Sequence, residues 1–254
     1  MAAPSFIAAS TGAVDTGGAW SYTCAAPGAA GRLIIVQVLQ DGVSATSAIS
    51  VTSVTNMEDL AGTDNVMTLI ASNQVVGDAP AGYQHLFCGR SLSTSAPVIT
   101  GANSTTDDIY VRAYEFSNVN TGTTLASIIE NGISLTANQR VDISATILNC
   151  PVTTNGPDRL ACNFIAINDD NALGSFTGET GGDWTLVADY GTATGTDGEI
   201  ALQTATMVSA GTIDGGSYTY ADTDTWGNIG FALIGTTPSY QPRHSAMDHD
   251  LALV

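Results

Sequence analysis

RLIIVQVLQD (32–41) and RLACNFIAIND (159–169) are the two stretches that decide the fold. In each, an Arg-Leu pair opens a run that is nearly free of charge. In the first copy the apolar character continues over residues 32–39, which suits a strand buried on both faces or crossing the core of a sandwich. A cysteine stands eight or nine residues ahead of each pair, at Cys24 and Cys150. Further matches follow in the same order along the chain. MTLI (67–70) matches WTLV (184–187), GYQHLFCGRSL (82–92) matches GEIALQTATMV (198–208), and VRAYEFS (111–117) matches IGFALIG (229–235). The separations are 126, 127, 117, 116 and 118 residues, and chance matches would not stay collinear. The chain therefore reads as a duplicated unit.

The unit is all-β. Residues 108–117 alternate, with Ile109, Val111, Ala113 and Glu115 on one face and Tyr110, Arg112, Tyr114 and Phe116 on the other. The tyrosine face is expected to be the core face, with Arg112 at its rim or paired. Residues 127–135, 140–148, 159–167, 184–190, 199–208 and 228–235 also read as strands. Loops rich in Gly, Thr, Asn and Asp separate them, such as GETGGDW (178–184) and GTATGTDGE (191–199). Only 56–61 and 122–130 have the pattern of a helical turn. The expected architecture is a pair of antiparallel β-sandwich, jelly-roll-like units: 1–120 and 121–236, followed by a tail or docking arm at 237–254. The repeats are either two halves of one sandwich or two sandwiches packed closely. About 115 residues suffice for an independent sandwich, which favours the second.

Composition narrows the function. Apolar residues make up 44% of the 254, enough for a core of that size, while charged residues are only 12%. The six cations are all arginines (Arg32, Arg90, Arg112, Arg140, Arg159 and Arg243) against 24 acidic residues, for a net charge of −18. Such a surface repels phosphate backbones and anionic headgroups, so neither nucleic acid nor membrane is an expected partner. The absence of lysine excludes Schiff-base chemistry and a lysine general base. The start, MAAPSFIAAS, has no basic segment followed by a long apolar one, so synthesis in a cytoplasm without export by that route is expected.

No catalytic, cofactor-binding or metal-binding residue is assigned. His85, flanked by apolar residues in a strand, reads as a sheet histidine, and no GxSxG motif is present. His244 and His249 lie in the tail at a spacing unlike a zinc site. The Asp-rich segments 167–175 and 221–227 read as loops with Asx-turn chemistry and do not match an EF-hand. Trp20, Trp184 and Trp226 are read as core residues first and a sugar-stacking platform second. Cys24, Cys88, Cys150 and Cys162 are read as buried thiols, with a disulfide as the open alternative.

The succession TTNGPDRL, GGDWTLV, EIALQTATM and SYTYADTDTWGNIGFALIG resembles repeat proteins of tailed-bacteriophage virions. These have a threonine-rich lead, a "dLLva" strand, a "GWtlv" strand and a closing "a.v.aL" strand. VRAYEFSNVN is similar to their "aYrGvd" closing strand. The first copy departs from the pattern, with MTLI in place of the tryptophan version and no PPAGW before it. The resemblance implies a non-enzymatic virion structural protein: a capsid decoration (cement) protein, or a tail or fibre component. Its partners would be copies of itself as a homo-oligomer and other virion proteins, such as the major capsid or tail proteins. The alternative is a carbohydrate-binding module or adhesin with aromatic, and in one version Ca²⁺-dependent, glycan recognition.

Overall fold

The computed structural model of the chain describes residues 2–16, 18–43, 50–75, 81–102, 108–130, 139–169, 177–180, 184–191, 197–213 and 216–236. The first repeat supplies β1 (Ser5–Ala9), β2 (Ala13–Thr16), β3 (Ala19–Thr23), β4 (Leu33–Val43), β5 (Ser50–Val54), β6 (Met57–Glu58), β7 (Thr68–Val75), β8 (Ala81–Ser91), β9 (Val98–Ala102) and β10 (Asp108–Ser117). After the single-turn helix α1 (Leu125–Ile128) come β11 (Ile129–Glu130), β12 (Gln139–Leu148), β13 (Val152–Thr154), β14 (Arg159–Asp169), β15 (Thr177–Thr180), β16 (Thr185–Gly191), β17 (Asp197–Met207), β18 (Gly211–Ile213) and β19 (Ser217–Ile234). The fold is all-β and is built around two similarly constructed seven-stranded sheets. The first has β10, β4 and β8 at its centre, with β1 and β2 beyond β10 and β6 and β7 beyond β8. The second has β19, β14 and β17 at its centre, with β11, β12 and β15 beyond β19 and β16 beyond β17. Smaller sheets, β3-β9-β5 and β13-β18, accompany them.

The duplication holds at the level of register. Leu33 pairs with Arg90 and Phe116 in the first sheet, and Leu160 pairs with Thr206 and Leu233 in the second. A bulge in β7 between Leu69 and Ala71 recurs in β16 between Leu186 and Ala188. A left-handed residue stands immediately before the matched arginines, Gly31 at φ 77° and Asp158 at φ 57°. Asp is among the few non-glycine residues that accept this region readily. Sequence matching misplaces the last element by one residue. Phe116 corresponds to Leu233, so Val111 corresponds to Asn228 rather than Ile229. A slip of one would exchange the two faces of the strand, and register pairing with β4 and β14 excludes it. β19 is long because it takes the places of both β9 and β10. Tyr218 pairs with Ile147 as Ile99 pairs with Tyr22.

Both faces of each large sheet are buried. Leu33, Ile35, Leu86, Cys88, Tyr114 and Phe116 of the first sheet share one core with Leu160, Cys162, Phe164, Leu202, Phe231 and Leu233 of the second. Each such side chain contributes about 2 kcal/mol on burial. Farther along the strands, Leu39 and Tyr110 meet Ala166 and Ile200. β4 and β14 thus run in the same direction, one sheet over the other. On its opposite face the first sheet packs Ile34, Val36, Val38, Phe87 and Val111 against Trp20, Tyr22, Val54 and Ile99 of the small sheet. The second sheet packs its opposite face in two smaller clusters, around Trp226 and around Trp184. The expectation that only the tyrosine face of β10 is core is therefore too narrow. Ile109, Val111 and Ala113 are buried as well, because a second layer covers them. Residues 56–61 form β6 and a turn rather than helix, and within 122–130 the helix is the single turn Leu125–Ile128.

Polar side chains cross the central layer with partners. Gln37 donates to the Ile165 carbonyl at 2.7 Å and accepts from the Tyr114 hydroxyl at 2.7 Å. Gln84 donates to the Phe164 carbonyl, and Asn73 to the Asn228 carbonyl. Arg112 reaches the carbonyls of Ser10 and, in the other unit, Asp189. The outer face of the second sheet differs. Where the first has Val36, Phe87 and Val111, the second has Asn163, Gln203 and Asn228, all fully buried. Asn163 is bonded to both backbone groups of Cys150, whereas neither polar atom of Gln203 has a partner among the described residues.

These two glutamines should respond in opposite ways. Gln37→Leu orphans the buried Tyr114 hydroxyl and should lower unfolding free energy by about 2 kcal/mol. Gln203→Met removes an unmatched amide at similar volume and should raise it by about 1 kcal/mol. Urea denaturation of both variants measures this, and a loss of stability in both would contradict the assignment.

Candidate functional site

His85 lies on β8 opposite Ser72 of β7, and the serine hydroxyl meets its Nδ1 at 2.7 Å. The ring lies between Tyr83 and Phe87, with centroids 6.4 and 6.3 Å away. Burial pulls its pKa from 6.5 down to about 4. Nε2 is buried without a partner, so nothing among the described residues orients the ring as a nucleophilic relay requires. His85 is a neutral residue of the sheet. His244 and His249 lie outside the described residues.

The tryptophans are core residues. Trp20, Trp184 and Trp226 are 3%, 2% and 1% exposed, so none of them offers a face for a sugar ring to stack on. Trp20 lies flat over its register partner Gly101, where a Cβ would come within 2.1 Å of the indole. The four cysteines are free and buried. Desolvation pushes the Cys24 and Cys88 thiols up to about 12 and also raises Cys162. Residues 221–227, expected as an Asp-rich loop, are part of the continuous strand β19. Residues 167–169 of the other Asp-rich segment end β14, with Asp169 opposite Asp197, and 170–175 lie outside the described residues. Among the described residues no group of three or more His, Cys, Asp or Glu could hold a metal ion.

What the structure does concentrate is apolar surface. Six large hydrophobic side chains are exposed among the described residues: Ile7, Val14, Val66, Leu69, Leu92 and Val208. Five share one end of the molecule. Leu33 and Arg159 begin β4 and β14 there, with Arg90 and Phe116 opposite Leu33 and Met207 and Ile234 opposite Arg159. Leu92 and Val208 follow directly beyond β8 and β17, and Val66 and Leu69 flank the start of β7. Ile7 lies in the β1 bulge, one residue from the Phe6–Phe116 pair. Only Val14, opposite Tyr110, belongs to the other end. Val208 is 79% exposed, beside a shallow open depression lined by Thr206–Ile213.

The arginines at this end are engaged within the chain. Arg32 pairs with Glu115 at 3.5 Å, and the same carboxylate accepts from the Gly28 N–H. Arg159 pairs with Glu130 at 2.6 Å, and that carboxylate accepts from the Asn155 N–H. Arg90 donates to the Asn120 carbonyl. The matched arginines Arg32 and Arg159 thus hold loops at this end, where Val66, Leu92 and Val208 are exposed among polar turn residues. Sequence matching had already aligned Leu92 with Val208, but as strand residues. Their position beyond the strand ends is what exposes them, and the turn residues that follow, STS and SAG, were the available signal.

No protein-family model, no curated protein and no solved structure matches this chain.

Neutral His85 makes stability depend on pH. Its folded pKa lies below its unfolded value, so above about pH 6.5 the imidazole is neutral in both states and contributes nothing. As pH falls toward 4 the unfolded chain binds the proton first, and stability drops by up to about 3 kcal/mol. Denaturation curves at pH 7 and pH 4.5 should therefore differ less in His85→Phe than in the wild type. An unchanged difference would remove His85 as a cause.

Proposed function

We propose that this chain is a non-enzymatic structural component of a tailed-phage particle that works by assembly, as a capsid decoration protein or as a tail or fibre component. The observation that carries the reading is the rim of exposed apolar residues at one end. Monomers rarely gather such residues in one place, whereas assembly subunits present them where another protein will cover them. A second support is how the two units are joined. Their large sheets bury a shared core and are tied by Gln37, Gln84, Asn73 and Arg112, which suits a stiff body under mechanical load. The resemblance of the strand motifs to virion repeats points the same way.

Each unit is read as an antiparallel, jelly-roll-like sandwich. The support is nested pairing in the first unit: β2 with β10, β3 with β9, and β4 with β8, like a long hairpin folded over. In the second unit β12 and β19 make the first two of these pairings in two stretches separated by a register break between Ser144 and Thr146, and β14 with β17 makes the third. The −18 charge keeps such a subunit soluble before assembly.

Immunogold electron microscopy with an antibody against the chain should label tailed particles from the source culture at regular positions. Unlabelled particles in a culture that expresses the chain would refute the reading.

A further inference from the structure

We propose that Asn155 is a site of spontaneous covalent modification. Its side-chain amide is lost through a ring closed by the Gly156 nitrogen, and the aspartate or isoaspartate left behind loosens the turn that ties Glu130 to Arg159. The inference does not depend on the assembly reading.

The turn exists twice. In the first unit the Glu115 carboxylate pairs with Arg32 at 3.5 Å and accepts from the Gly28 N–H at 3.1 Å. In the second the Glu130 carboxylate pairs with Arg159 at 2.6 Å and accepts from the Asn155 N–H at 3.0 Å. Gly28-Ala29 and Asn155-Gly156 hold the same places relative to the two arginines. The tie uses only the backbone of residue 155, since glycine makes the equivalent bond at 28. Asn155 is exposed, and among the described residues no hydrogen bond restrains its side chain. Nothing in the turn therefore requires an asparagine there.

What the turn does expose is the chemistry of the pair. An asparagine side chain can reach the main-chain nitrogen of the next residue, and a glycine there puts no Cβ in the way. The Gly156 N–H has no backbone partner among the described residues. The Arg159 guanidinium lies against Gly156, with Nη2 2.9 Å from where a Cβ would stand. A cation at that place favours loss of the Gly156 N–H proton. The deprotonated nitrogen forms a bond to Asn155 Cγ. The bond from Cγ to the amide nitrogen breaks, and that nitrogen takes up the proton and leaves as ammonia. Water then opens the five-membered ring at either carbonyl. One opening gives aspartate, and the other gives isoaspartate, whose main chain is longer by one methylene. Either product puts a new carboxylate on the residue whose N–H the Glu130 carboxylate accepts, and like charges repel. In the first unit Gly28 has no side chain to react, so only the second tie can be lost in this way.

The test uses the full chain, held folded at pH 8 in heavy-oxygen water, beside a sample unfolded in urea. Mass-spectrometric peptide mapping with electron-transfer fragmentation should find Asn155 of the folded chain converted to isoaspartate and aspartate, each carrying one heavy oxygen. An Asn155 still intact in the folded chain, whether or not the unfolded chain has converted, overturns the site. The aged chain should then unfold at a lower urea concentration than the fresh one. Asn155→Gln, whose longer side chain does not close the five-membered ring, should lose nothing at this site on the same ageing. A fresh-state circular dichroism spectrum equal to the wild type's establishes that this variant is folded. The Asn131-Gly132 pair lies outside the described residues, and the same map reads it separately. Its contribution is common to the wild type and Asn155→Gln, so the difference between them reports Asn155 alone. An aged wild type with an unchanged urea midpoint, or an equal loss in Asn155→Gln, overturns the loosening of the turn.

Discussion

Burial of both faces of the two large sheets is the constraint from which the rest of the structure follows. A strand covered on one side can alternate apolar and polar residues. A strand covered on both sides cannot, and residues 33–39 and 160–167 accordingly read as apolar runs interrupted only by Gln37 and Asn163. The few polar side chains admitted to the shared core must then find partners across it. Gln37 does so with both ends of its amide, joining Tyr114 of its own sheet to Ile165 of the other. The same constraint sets the one-residue register of β10 and β19, because a slip would turn buried faces over in two layers at once.

The two copies keep what this constraint requires and diverge where it relaxes. Arg32 and Arg159, the left-handed residue before each, the bulge in β7 and β16 and the central strand register are all retained. The outer layers differ. The first unit closes over Val36, Phe87 and Val111, and the second over Asn163, Gln203 and Asn228. Asn163 stitches Cys150 to the sheet, and Gly230 makes room for that cysteine, where any Cβ would meet the Cys150 Cβ at 2.5 Å. Asn163 thus adds directed bonds to the apolar clusters of the second unit's outer layer.

The rim gives the molecule a direction. Cations at that end are turned inward to hold loops, and apolar side chains are left facing out. The opposite end has only Val14 of the exposed large hydrophobics among the described residues.

Much of this was legible in the residues themselves. The strands at 33–43, 108–117, 159–169 and 197–207, the repeat and the core character of the tryptophans follow from local apolar patterning, which depends only on which side chains avoid water. Patterning could not distinguish a strand covered once from one covered twice in β10, because Tyr110 and Ile109 are both apolar and either face serves as core. It also mistook 221–227 for a loop. Asp and Thr favour turns locally, and the ladders with β12 and β14 pair only residues 224–227 of that stretch. The rim was invisible for a related reason: Leu92 and Val208 look like core residues until the strands before them end. The sequence by itself determined the class of fold and its duplication, since hydrophobic periodicity is a local property. Which faces meet, which polar groups find partners and which apolar residues are left in water were decided only by tertiary structure, because each depends on surfaces distant in the chain, as Gln84 and the Phe164 carbonyl are at 80 residues.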